Sequence, residues 1–161
     1  GNHDYKLYFD NDPFNLSNIK FIKDYTVLNL SKKNILCIGG AISIDRKERT
    51  KNTWFKDEVL DVNIDKIKKI ESIDVVVTHT APNYCIPNGF YPYLLKDMFK
   101  NDFTLKYDLE KERFDLACMF NILTKNNNIT NHYYGHFHQA NSMNYNGTRH
   151  RVLGINELVE F

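Results

Sequence analysis

Short apolar runs separated by polar turns fill much of the first half of the chain. Residues 25–30 and 34–38 are two such runs, and the Ser-Lys-Lys segment between them predicts a pair of strands. A third run, residues 73–78, is rich in valine and lacks regular alternation with polar residues, which is typical of a buried strand in a parallel sheet. We expect this strand to end at His79.

Helical spacing of apolar residues is found in two segments. Isoleucines and a valine among lysines predict a helix over about residues 62–71. Asp108 is a suitable N-cap for a second helix that continues to about residue 123. In this second helix we expect residues 110–113 to face solvent and Phe114 to face the core.

Further strands are predicted in the last third of the chain. Residues 132–134 form a short aromatic strand that leads into Gly135, where a sharp turn is possible. Residues 142–145 and 149–153 alternate on either side of Asn146-Gly147, a strong hairpin signal. Strands alternating with helices indicate a single α/β unit.

Composition narrows the functional classes. The 161 residues are 42% hydrophobic and carry a net charge of +1, so the chain can bury an ordinary core but offers no basic surface for a polyanion. No apolar segment approaches the roughly 20 residues that span a bilayer. Cys37, Cys85 and Cys118 lack C-x-x-C spacing and are interpreted as reduced structural residues, which favours a cytoplasmic location.

Three histidine-containing segments suggest a metal site. Gly1-Asn2-His3-Asp4 begins the chain, His79 ends a predicted strand, and Gly135-His136-Phe137-His138 follows another. Ligands gather at the carboxyl ends of strands in open α/β sheets. Amide oxygen and imidazole nitrogen suit Mn, Fe or Zn better than they suit a thiolate site. Of the other histidines, we interpret His132 as packing within its strand and His150 as an exposed hairpin residue.

The order of these motifs resembles a known family. GNHD, a strand-terminal histidine and GHxH are similar, in this order, to the third, fourth and fifth motifs of the calcineurin-like metallophosphoesterases. Residues 38–46, followed by residues 54–58, also resemble a bacterial and phage branch of that superfamily. The resemblance implies an α/β fold, the later portion of a four-layer αββα sandwich.

The first two motifs of the family, D-x-H and G-D-x-x-D, have no match in the chain. The resemblance therefore implies that residues 1–161 are a single partial domain that lacks the upstream motifs and the N-terminal strands of the sandwich. We expect a missing N-terminal segment to be needed to complete the fold.

The resemblance also assigns roles to individual residues. Asn2, His79 and His136 match ligands of one metal ion, and His138 matches a ligand of the other. His3 matches the residue that contacts the phosphate and protonates the leaving oxygen, while Asp4 matches the carboxylate that orients it. Two divalent ions, Mn, Fe or Zn, are implied, of which at most one is well liganded by this chain. Independently, the guanidinium groups of Arg46 and Arg49 are candidates for holding a substrate phosphate.

The implied function is metal-dependent hydrolysis of phosphoric esters, as a phosphomonoesterase or a phosphodiesterase, by a metal-activated water at a dinuclear site. Small phosphoesters, including nucleotides and nucleic-acid ends, are the expected substrates, and the isolated chain is expected to be inactive. The alternative is a non-catalytic relative of the same fold that binds protein partners. Specificity would lie in the predicted loops at residues 41–61 and 80–92.

Overall fold

The computed structural model describes residues 1–4, 9, 16–49, 53, 56–87 and 94–160. No helix within these ranges is long and apolar enough to cross a membrane. The strands are β1 (Thr26–Leu30), β2 (Lys33–Ile38), β3 (Val75–Thr78), β4 (Asn131–Tyr134), β5 (Asn141–Tyr145) and β6 (Thr148–Val152). The helices are α1 (Ile64–Ile67), α2 (Leu94–Asn101) and α3 (Leu105–Asn126).

The six strands form one mixed sheet in the order β1-β2-β3-β4-β6-β5. Strands β2, β3, β4 and β6 are parallel, and β1 and β5 each pair antiparallel with the neighbour to which a short turn joins them. Both predicted hairpins are therefore confirmed, and the fold is α/β. Because the four central strands are parallel, the segments that follow β2, β3 and β4 all leave the sheet at the same edge.

The sheet is buried on both faces near its centre. On one face α3 packs Leu116, Phe120 and Leu123 against strand residues that include Leu36 and Val76. On the other face, buried strand residues pack with side chains from the end of the chain, in a cluster formed by Ile35, Val75, Tyr133, Leu153 and Val159. Burial on two faces explains why β3 has apolar residues at consecutive positions rather than in alternation.

The helices differ from the prediction in their limits. Regular helix in the 62–71 segment is confined to α1, with the Asn63 side chain accepting a hydrogen bond from the Lys66 backbone as its N-cap. Helix α2 was not predicted. Helix α3 begins after Thr104, so Asp108 lies in its first turn and is not the N-cap. The Asp108 carboxylate instead accepts a hydrogen bond from the Arg46 guanidinium, and this contact accounts for the presence of Asp108 in the first turn.

Three predicted orientations are wrong. His150 is only 1% exposed, because β6 lies inside the sheet between β4 and β5. Glu112 was expected to face solvent but is buried, and its carboxylate accepts a hydrogen bond from the Ile42 backbone at 2.8 Å. Phe114 was expected to face the core, and it is 57% exposed.

Residues 54 and 55, part of the second segment of the family resemblance, lie outside the described residues.

Candidate functional site

The carboxyl ends of β3 and β4 bring two of the predicted histidine segments together. His79 directly follows β3, and the backbone amide of Gly135, just after β4, donates a hydrogen bond to the His79 carbonyl at 3.2 Å. The rings of His79 and His136 lie edge to face with their centroids 5.1 Å apart. This contact follows from the parallel register of the two strands, which pairs Thr78 with Tyr134.

The GHFH segment forms a tight turn. His136 and His138 both have left-handed backbone conformations, with φ of 69° and 52°, which non-glycine residues seldom adopt. Between them Phe137 is buried at 3% exposure and contacts Tyr134 edge to face. The buried ring anchors the turn, so that His136 is half-buried beside His79 while His138 is exposed.

Asn2 completes a contact with the strand ends. Its side chain is buried, its amide oxygen lies 2.8 Å from His79 Nε2, and its amide nitrogen donates to Ser43 Oγ at 2.7 Å. A Cβ at Gly1 would lie 2.9 Å from His79 Cε1, so only glycine permits this close approach. The amide is thereby oriented with its oxygen towards the imidazole.

A buried network behind Asn2 fixes that orientation. The Ser43 hydroxyl accepts a hydrogen bond from Arg49 Nη1 at 2.5 Å and donates to the Glu58 carboxylate. Arg49 also forms an ion pair with Glu58 at 2.9 Å, and both side chains are almost fully buried. Such outer contacts orient metal ligands in many proteins. Segments 38–46 and 54–58 were noted for their resemblance, but neither Ser43 nor Glu58 was assigned a role, because their contacts depend on the fold.

Both arginines proposed as phosphate ligands are engaged in ion pairs. Arg46 Nε lies 2.5 Å from Asp102 and its Nη2 lies 2.6 Å from Asp108, so its guanidinium links the start of α3 to the 41–49 segment. Arg49 binds Glu58, as described above. A role of either residue in binding substrate stays a prediction, and their observed partners give both a role in holding the loop.

His3 and Asp4 are exposed beside the site. The Asp4 carboxylate accepts a hydrogen bond from the amino group of Gly1. His3 is close enough to His79 and His136 for a positive charge on its ring to lower the pKa of each. The predicted orientation of His3 by Asp4 stays a prediction.

The two half-buried imidazoles resist protonation. Burial lowers the pKa of His79 to about 4, and the positive charges of the amino terminus, His3 and His138 add to the effect. Burial likewise lowers the pKa of His136 to about 3, with further contributions from His79 and Arg113. Near neutral pH both rings are therefore neutral and each keeps a free lone pair, which is the state in which histidine binds a metal.

Helix α3 contributes the guanidinium of Arg113, which was expected to face solvent. Arg113 is partly buried, and its guanidinium carbon lies 5.8 Å from the centre of the Phe137 ring. Its positive charge contributes to the lowered pKa of His136. Arg113 thus brings a cation to the same turn as the candidate ligands.

Two of the candidate donors have a spacing compatible with one divalent ion. Asn2 Oδ1 accepts a hydrogen bond from His79 Nε2 at 2.8 Å, and an ion bound at about 2.1 Å to both atoms at right angles would hold them about 3 Å apart. A cavity of about 480 Å³ adjoins His79, with Asp24, Gly39 and Glu58 among its lining residues. It leaves room for further ligands beside the histidine.

Comparison of the chain with models of protein families, with curated proteins and with solved structures finds no match in any of the three. The assignment of function therefore depends on the motifs and on the geometry of the site.

Proposed function

We propose that this chain is the later part of a calcineurin-like metallophosphoesterase domain, and that the complete domain hydrolyses phosphoric esters with a metal-activated water. The observation that carries the proposal is the convergence of Asn2, His79 and His136 at the carboxyl edge of the parallel strands. The D-x-H and G-D-x-x-D motifs of the family have no match among residues 1–161, so the proposed αββα domain requires them from outside these residues.

The ligands divide unevenly between the two ions of the proposed centre. Asn2, His79 and His136 would hold one ion, and His138 would contribute to the other. When bound, two divalent ions lower the pKa of a coordinated water and balance the charge on the phosphoryl oxygens. Borderline ions such as Mn, Fe or Zn suit this oxygen and nitrogen donor set.

The remaining residues act on the substrate or on the ligands. His3, exposed next to the cluster, would donate a proton to the leaving oxygen, and Asp4 would orient its ring. Ser43 and Glu58 hold the Asn2 amide in place from behind. Arg113 lies near enough to His136 for its positive charge to lower the pKa of that ring. The guanidinium would therefore also stabilise an anionic phosphoryl group at this turn.

The proposed substrate is a small phosphoester, such as a nucleotide or a nucleic-acid end. An exposed His3 at the surface of the site is compatible with leaving groups of varied size. The competing function is that of a non-catalytic relative that binds a protein partner. Such a protein would be expected to lose metal ligands or the acid histidine, whereas the residues that match the family motifs are present here.

The proposal is tested in a longer protein that contains this chain together with the upstream motifs. His79→Ala or His136→Ala should abolish Mn-dependent hydrolysis of an aryl phosphoester and lower the bound metal. As the matched variant, His3→Ala should retain the metal but lose turnover on the order of a hundredfold, as expected when a general acid is removed. The loss should be smaller for leaving groups of low pKa.

Full metal content in both ligand variants would contradict the site assignment. Normal metal binding without hydrolysis of any phosphoester in a broad panel would favour the protein-binding alternative. An equal loss in His3→Ala for all leaving groups would show that His3 supports structure and donates no proton.

A further inference from the structure

A second cluster of side chains that could bind a metal is buried inside the molecule. Cys85, in the segment that follows β3, meets His132 of β4 and His150 of β6. The three residues are between 0 and 2% exposed. The two histidines are directly paired across the parallel strands, so the sheet register itself brings them together.

The potential ligand atoms converge on one point. His132 Nδ1 and His150 Nδ1 are 2.9 Å apart, Cys85 Sγ is 3.8 Å from His150 Nδ1, and all three atoms lie within 4.8 Å of one another. Atoms bound to one ion at about 2.0 to 2.3 Å lie roughly 3.3 to 3.8 Å apart. The sulfur has this spacing from His150 Nδ1, and the two rings would need to separate by roughly half an ångström.

Hydrogen bonding aims the His132 lone pair into the cluster. The hydroxyl of Thr78 donates to the Thr80 carbonyl at 2.6 Å, so towards His132 Nε2, 2.8 Å away, it can only accept. Nε2 therefore carries the ring proton, and Nδ1 presents its lone pair to His150 and Cys85. A metal-ligating histidine usually donates its other N–H in this way, which fixes the tautomer. The Tyr145 backbone is also within hydrogen-bonding reach of the His150 ring.

We propose that Cys85, His132 and His150 form a metal site that takes a thiophilic transition-metal ion through one thiolate and two imidazole nitrogens. Thiolate with imidazole favours Zn²⁺ or Cu⁺, whereas the amide and imidazole set at the sheet edge favours harder ions such as Mn²⁺. The two sites thus differ in ligand chemistry and share no ligand residue. A bound ion would link the segment after His79 to two strands of the sheet.

Binding exchanges one proton for the metal. In the metal-free chain, burial raises the pKa of the Cys85 thiol to about 12, so the sulfur is protonated near neutral pH. On binding, the S–H bond breaks, the sulfur lone pair forms the bond to the metal, and the proton passes to solvent. Burial also lowers the pKa of His150 to about 4, so its imidazole is neutral. Because His132 Nδ1 carries no proton, the 2.9 Å contact places the one ring proton of His150 on its Nδ1, and this proton moves to Nε2 when Nδ1 binds the metal.

The test uses Co²⁺ as a spectroscopic probe, with metal added during refolding from urea so that burial does not block access. The unaltered chain should show thiolate-to-cobalt charge-transfer absorption that saturates at about one equivalent. His79→Ala should retain this band, because His79 contributes no ligand atom to the Cys85 cluster. Cys85→Ser should lose it. Cys37→Ser and Cys118→Ser, which alter the other two cysteines, should retain it.

A second measurement needs no variant. X-ray absorption on the unaltered chain loaded with Zn²⁺ or with Cu⁺ should show one sulfur at about 2.3 Å and nitrogen neighbours at about 2.0 Å. The ion that stays bound at the lower free-metal concentration is the preferred one. A shell of oxygen and nitrogen alone would overturn the proposal. Absence of the cobalt band, or its survival in Cys85→Ser, would also overturn it and would leave a hydrogen-bonded core cluster.

Discussion

Replacing Ser43 with alanine removes the centre of the network that orients Asn2. The serine is 1% exposed, and its hydroxyl contacts Asn2, Arg49 and Glu58. Without it, the buried Asn2 amide loses its acceptor and Glu58 loses one of its donors. A buried polar group left without a partner costs about 1–3 kcal/mol. Because Glu58 keeps its ion pair with Arg49, we expect the free energy of unfolding to fall by about 2–4 kcal/mol.

The same substitution should weaken metal binding, because Asn2 would no longer be held with its oxygen towards His79. Loss of an outer contact to a metal ligand typically lowers affinity about 10- to 100-fold. Urea unfolding gives the stability, and calorimetric titration with Mn²⁺ gives the affinity. Ser31→Ala, in the exposed turn between β1 and β2, is the control and should change neither. A Ser43→Ala chain within about 0.5 kcal/mol of wild type, with unchanged affinity, would refute the reasoning.

Three further predictions concern stability in urea. Folding lowers the pKa of His79 to about 4 and that of His136 to about 3, from the ordinary 6.5, so protonation of these rings favours the unfolded chain. The free energy of unfolding should therefore be highest above about pH 6.5 and fall towards pH 4, and a flat profile would contradict this. Burial raises the pKa of Glu112 to about 7, so Glu112→Gln should stabilise the chain by about 1–2 kcal/mol at about pH 8, and destabilisation there would show that the charged form is needed. Gly40→Ala, at φ +86° with its Cβ 2.4 Å from a carbonyl oxygen, should cost about 2–4 kcal/mol, against about 1 kcal/mol for Gly147→Ala at φ +82° in open space; equal losses would refute the steric argument.

Strong local signals predicted much of the sheet. Asn146-Gly147 adopts positive φ at both residues, as a tight hairpin turn requires, and it joins two strands as expected. The valine run of β3 identified a central strand, because burial on both faces leaves little room for polar residues. In each case the residues themselves restrict the backbone or its surroundings.

Features that depend on distant partners were not predictable. His150 lies in a polar segment in which Thr148 and Val152 share its buried face, and only the pairing of β6 with β4 shows that this face is covered. Glu112 stands among charged residues, and its burial depends on a backbone amide 70 positions away. The start of α3 at Leu105 was missed because Asp108, a good capping residue, is bound by Arg46 from a separate loop.

The candidate site shows the same division. The motifs predicted a site that includes Asn2, His79 and the GHFH turn, and the parallel strand order explains why two of these segments meet. Ser43 and Glu58 lie in segments 38–46 and 54–58 of the resemblance but were given no role, since their contribution is a set of contacts that the fold alone creates. The Cys85 cluster was overlooked for the same reason, because its three members come from three separate segments.

The central claim, that Asn2, His79 and His136 form a ligand set for a divalent ion, is tested most directly by titrating the chain with Mn²⁺ and following the free ion by electron paramagnetic resonance. Wild type should bind about one equivalent weakly. His79→Ala and His136→Ala should each lose more than tenfold in affinity, while Cys85→Ser, in the thiophilic cluster, should bind Mn²⁺ as wild type does. Unchanged Mn²⁺ binding in both histidine variants would contradict the account.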